Sequence, residues 1–133
     1  MKKYGWWFVV AYAIGVLLVT VVLRENKENV LFNIEFTKGY FGGLQASTTK
    51  RDALWNVLGF IPLGLLVCFA AKRLHLVLAL LTGLFLSETI ECMQVIFKRG
   101  VFDVSDLIAN MIGTAIGCVV YMVIILVKKL KWS

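Results

Sequence analysis

Four apolar runs, at roughly 6–23, 54–71, 76–97 and 107–127, leave this chain few ways to fold. Each is about 18–22 residues long. At about 1.5 Å rise per residue, a helix of that length crosses a hydrocarbon core of roughly 30 Å. A backbone in lipid has no water to satisfy it, so the runs are expected to be helices. The expected fold class is all-α: a single domain over 1–133, built as an integral membrane bundle of four transmembrane helices. Composition agrees, since 60% of the 133 residues are hydrophobic, against roughly 45–50% in a soluble domain. The first run is too long for the apolar core of a signal peptide, and no small-x-small cleavage pattern follows it, so it is expected to be retained.

The formal charge of +6 does not call for nucleic acid, because the basic residues fall where membrane topology puts them. Four spans bring Lys2, Lys3, Lys72, Arg73, Lys128, Lys129 and Lys131 to one side, with no acid among them. The other side carries as many bases, mixed with Glu25, Glu28, Glu35, Asp52, Asp103 and Asp106, and several lie in the middle of a long loop where they count less. Both termini are therefore expected in the cytoplasm. The long loop, 24–52, mixes charges and glycines with apolar groups such as Val30-Leu31-Phe32. It is expected as a partly structured extracytoplasmic segment between helices 1 and 2. Cys68, Cys92 and Cys118 all fall in spans, with no metal-ligand spacing, and are expected as small buried apolar groups. His75, the single histidine, lies at the cytoplasmic turn. Ala109, Gly113 and Gly117 share one helix face. Small residues at that spacing let helices approach closely, here to pack the chain on itself or, alternatively, to make a dimer.

The third run contains the anomaly. In FLSETIECMQVIFKRG, Glu88, Glu91 and Gln94 recur every three residues inside apolar sequence. On a helix they cover roughly a third of the circumference. Counted from Phe97 they lie at depths of about 13, 9 and 5 Å. A charge near the midplane costs at least about 2.5–3.5 kcal/mol, so this stripe is expected to face protein or a wet cavity. The short connection to the fourth run brings Arg99, Asp103, Asp106 and Asn110 to the same rim, and Asn56 enters from the second run at similar depth. The candidate site is thus an outward-facing polar pocket of Asn56, Glu88, Glu91, Gln94, Arg99, Asp103, Asp106 and Asn110. A structural alternative stands beside it: Asp103 and Asp106 are well placed to cap the fourth helix, with Arg99 as their local partner.

Asn56-x-x-x-Phe60-x-Pro62-x-Gly64, Glu91-x-x-Gln94, Arg99 and Asp103-x-x-Asp106-x-x-x-Asn110-x-x-Gly113-x-x-x-Gly117 together resemble the VanZ-like family of bacterial membrane proteins. The resemblance covers about 50–120 and leaves Glu88 outside the motif. It implies a multi-pass protein of the bacterial cytoplasmic membrane with an envelope role, in a family whose founding member is associated with low-level teicoplanin resistance. It supplies no reaction.

Two functions follow as expectations. The first is binding of a lipid-linked cell-wall precursor, a membrane lipid headgroup or a lipoglycopeptide, with Arg99 taking an anionic group and Glu91, Asp103 and Asp106 accepting donors. The second is catalysis on a lipid-linked substrate, with Glu91, Asp103 and Asp106 as acid–base candidates or weak candidate ligands for a hard divalent cation. No cofactor or resident metal is expected, and no oligomeric state can be assigned.

Overall fold

The computed structural model describes residues 4–22, 47–71, 73–97 and 104–132, with side chains in the second stretch described from 52 onward. It contains α1 (Gly5–Val22), α2 (Ser47–Ala70), α3 (His75–Ile96) and α4 (Val104–Lys131), with no strand among the described residues. All four helices are long and apolar enough to cross a membrane, so the all-α fold class holds. Of the segment between the first two spans, 23–46 lies outside the described residues.

The apolar runs locate the helices but not their ends. α2 begins at Ser47, seven residues before its apolar run, and α4 runs for 28 residues, or about 42 Å. Hydropathy marks only the stretch that lipid requires, whereas backbone hydrogen bonding continues into the polar margin. At α4 that continuation places Lys128, Lys129 and Lys131 in the last turn, where the helix dipole favours cations. Pro62 sits inside α2 without ending it.

Gly5 packs on Ala70, and α2 and α3 are joined by a short turn in which Leu74 adopts φ 52°. The start of α1, the end of α2 and the start of α3 therefore lie together at one end of the bundle, with the end of α4. The other end, where α1 and α3 finish and α2 and α4 begin, is called distal here.

The tightest seam joins α2 to α4. A Cβ at Gly113 would collide with the Val57 carbonyl oxygen, one at Gly117 with that of Ile61, and one at Gly64 with that of Thr114. The small-residue face of α4 is thus used within the chain, against the α2 backbone. Toward the terminal end the seam closes on Cys68 and Cys118, both buried, with Sγ atoms 3.1 Å apart. Cys92 departs from the expectation for the three cysteines: it is exposed on α3. Leu63 and Val67 are fully buried beside this seam, and Ala79, Leu86 and Ile90 of α3 complete the core. α1 lies outermost, buried only at Val9 and Val21. Its Tyr12 hydroxyl donates to the Gly59 carbonyl of α2 at 2.7 Å.

The seam yields a contrast between two glycines. Gly113→Val should destabilise the protein by about 1–3 kcal/mol or more, because the added atoms meet backbone rather than a flexible side chain. Gly59, whose Cβ position has nothing within 4 Å, should accept Ala with a gain of roughly 0.5–1 kcal/mol. Thermal unfolding in detergent or nanodiscs distinguishes the two.

Candidate functional site

The face that α3 turns to α4 carries Gly83, Ser87, Glu91 and Gln94, and the answering face of α4 carries Asp106, Asn110 and Thr114. All are buried, most of them deeply: Glu91 is 1% exposed, Asn110 2% and Asp106 8%. Two contacts set the register of this antiparallel pair. A Cβ on Gly83 would come 2.5 Å from Thr114 Oγ1, so the missing side chain makes room for the threonine. One turn nearer the distal end, Asn110 Nδ2 donates to Ser87 Oγ at 2.7 Å. A further turn along both helices brings Glu91 level with Asp106. The two acids share a level because the helices run antiparallel and each step is four residues on both.

The ladder is anchored at its inner end. Thr114 Oγ1 donates to the Asn110 carbonyl of its own helix at 2.9 Å. Gln94 reaches instead toward α1, where its Nε2 donates to the Thr20 carbonyl at 3.4 Å. Interhelical hydrogen bonds in membrane bundles average about 0.6 kcal/mol, with upper values near 1–2. These contacts therefore align the helices more than they hold them together. One polar atom in the ladder stands apart: Asn110 Oδ1 is buried and has no hydrogen-bond partner among the described residues. A buried acceptor left so costs about 1–3 kcal/mol.

Of the residues expected at the site, Glu91, Gln94, Asp106 and Asn110 come together. Glu88 does not: it is exposed on α3. The buried stripe of α3 is centred on Gly83, Ser87, Ile90 and Gln94, with Glu91 at its edge. Glu88 lies about 60° beyond Glu91, since three residues advance a helix about 60° short of a full turn. Asn56 is half-buried on α2, one residue before the carbonyl that meets Gly113, and has no side-chain hydrogen bond among the described residues. Arg99 and Asp103 lie outside the described residues. Thr114 belongs to the ladder without having been expected there, and its position four residues after Asn110 was the available signal. The Thr20 contact uses a main-chain oxygen, which no residue type announces.

Among the described residues, no group of three His, Cys, Asp or Glu side chains is arranged to hold a metal ion. Asp103 falls outside that set, so the trio Glu91, Asp103 and Asp106 is not decided by it. His75, the chain's one histidine, starts α3 at the opposite end of the bundle and packs against Tyr121, with ring centroids 5.3 Å apart. Imidazole chemistry is thereby separated from the acidic level by about 24 Å along α3.

The register can be checked energetically. In a double-mutant cycle of Ser87→Ala and Asn110→Ala, the coupling read from unfolding free energies should be about 0.6–2 kcal/mol. Ser87→Ala paired with a distant change such as Gly59→Ala should show almost none.

The arrangement can be set beside known proteins. A family model described as VanZ/LLP1 matches residues 7–126. The chain is similar to Protein VanZ of Enterococcus faecium, with 32% identity over 108 residues that cover 80% of this chain and 67% of that protein. No solved structure matches the chain.

Proposed function

Given that the chain belongs to the VanZ/LLP1 family, we propose that it is an envelope ligand-binding protein of the bacterial cytoplasmic membrane. It takes the polar part of a lipid-linked or lipophilic ligand at the distal end of the α3–α4 ladder. The observation that carries this reading is the level shared by Glu91 and Asp106, both buried, next to Asn110 within membrane-spanning helices. Ionisable groups inside a membrane are costly and are kept mainly where they serve a pathway or a ligand. Helix alignment alone needs only neutral groups of the Ser87–Asn110 kind.

In this reading both termini are cytoplasmic, the distal end faces outward, and the ligand arrives from the outer leaflet. Lipid-linked cell-wall precursors, membrane lipid headgroups and lipoglycopeptides all combine a membrane-held tail with a polar head, which suits a site at that depth. A contribution to low-level teicoplanin resistance is the role that the family resemblance implies. Arg99, three residues beyond α3, is assigned to an anionic group of the ligand. Catalysis through Glu91, Asp103 and Asp106 remains the alternative, with no specific observation in its favour.

Two experiments test the proposal. Glu91→Gln and Arg99→Ala should each abolish a glycopeptide susceptibility phenotype conferred by the native chain while leaving its level in the membrane unchanged. If both variants are made normally and the phenotype persists, the site is not the functional one. A cysteine introduced between 38 and 50 should react with a membrane-impermeant thiol reagent in intact cells. Protection there would invert the orientation.

A further inference from the structure

At the terminal end α4 outruns the other helices. His75 opens α3 beside Tyr121, and Phe69, one residue before the end of α2, packs on the same ring at 5.0 Å. From that level α4 continues to Lys131, about 15 Å further. Residues 122–127 of this overhang are all apolar, as suits a helix surrounded by lipid. In the corner between the overhang and the start of α3 lies an open cleft of about 380 Å³. Leu76 and Val77 form one wall, Tyr121 and Met122 the other, and the buried Cys68 and Cys118 the floor.

The α4 wall continues past the cleft. Cys118, Met122, Ile125 and Lys129 follow at steps of four, three and four, and so share one helix face. Lys129 stands about 16 Å along the axis from Cys118. That is the depth of one leaflet, half of a roughly 30 Å core. Arg73 is exposed next to Leu74, which also lines the cleft. Both side chains are cationic donors, and no acid occurs in 68–76 or 118–133. We infer that this corner is a site for one anionic phospholipid, with an acyl chain in the cleft and its phosphate held by Lys129 and Arg73. A zwitterionic lipid fits the cleft but sets its own cation against these two. A soluble anion meets the cations but leaves the apolar cleft unfilled. With the termini cytoplasmic, as proposed above, the lipid belongs to the inner leaflet, and the site is separate from the distal carboxyl groups.

The test places the full chain in phosphatidylcholine nanodiscs with increasing fractions of phosphatidylglycerol and reads the unfolding midpoint. The midpoint should rise and then saturate. Lys129→Gln should move half-saturation about fivefold toward higher phosphatidylglycerol, the share of one cation facing an anionic lipid. Lys131→Gln removes the same charge from the same end, but Lys131 lies about 160° round the helix from Lys129, so half-saturation should hardly move. Val77→Trp, on the exposed lip of the cleft, fills the slot without changing charge and should abolish the saturable rise.

A midpoint that ignores phosphatidylglycerol overturns the inference. Equal shifts in Lys129→Gln and Lys131→Gln do so too, since a diffuse basic surface then accounts for the response. So does a rise that survives Val77→Trp, or one that inorganic phosphate reproduces in pure phosphatidylcholine discs. A midpoint that follows the number of chains per disc instead of the lipid places a second copy in the corner and likewise overturns it. Should Val77→Trp not fold, the pair of lysine variants still decides.

Discussion

The hydrogen bond from Asn110 to Ser87 is the contact on which the arrangement at the distal end depends. It is one polar pair between two helices, worth little in free energy, but in lipid it has few competitors. A shift of α3 along α4 by a residue would strand both groups and drive Thr114 against a side chain larger than Gly83. The pair therefore acts as a depth gauge. It fixes the register one turn further out, and so brings Glu91 and Asp106, which lie on different helices, to one level.

A second constraint supports it from behind. Gly64, Gly113 and Gly117 bring α2 and α4 close enough for backbone to meet backbone. α4 thus uses one side for close packing on α2 and an adjacent side for polar recognition of α3. Gly113 and Thr114, next to each other in sequence, serve these two purposes separately. α1 contributes least to the core, and its links to the rest include main-chain oxygens on each side: it accepts from Gln94 at Thr20 and donates through Tyr12 to Gly59.

The four helices were legible because lipid leaves a long apolar run one backbone solution. Their ends were not, because the polar residues of 47–53 and 128–131 satisfy a helix as readily as a loop. At the site, Asp106 and Asn110 announced themselves by four-residue spacing, but the same step was not carried on to Thr114, which has no charge to draw notice. On α3 the acids misled. Spacing of three spreads Glu88, Glu91 and Gln94 over about a third of the helix surface, and nothing in that pattern says which edge faces protein. Gly83 and Ser87 do, since the absent side chain and the small hydroxyl are where α4 comes closest.

The glycine seam divides the bundle mechanically. Where two backbones touch without intervening side chains there is no compliance to exploit, so α2 and α4 behave as one fixed wall. α3 rests on that wall through small polar groups, and α1 leans on α3 through the Gln94–Thr20 bond of 3.4 Å. A Cβ at Gly64, Gly113 or Gly117 would meet the facing backbone, so this flank of α4 is shut and the carboxamide of Asn110 faces α3 instead, where it meets Ser87.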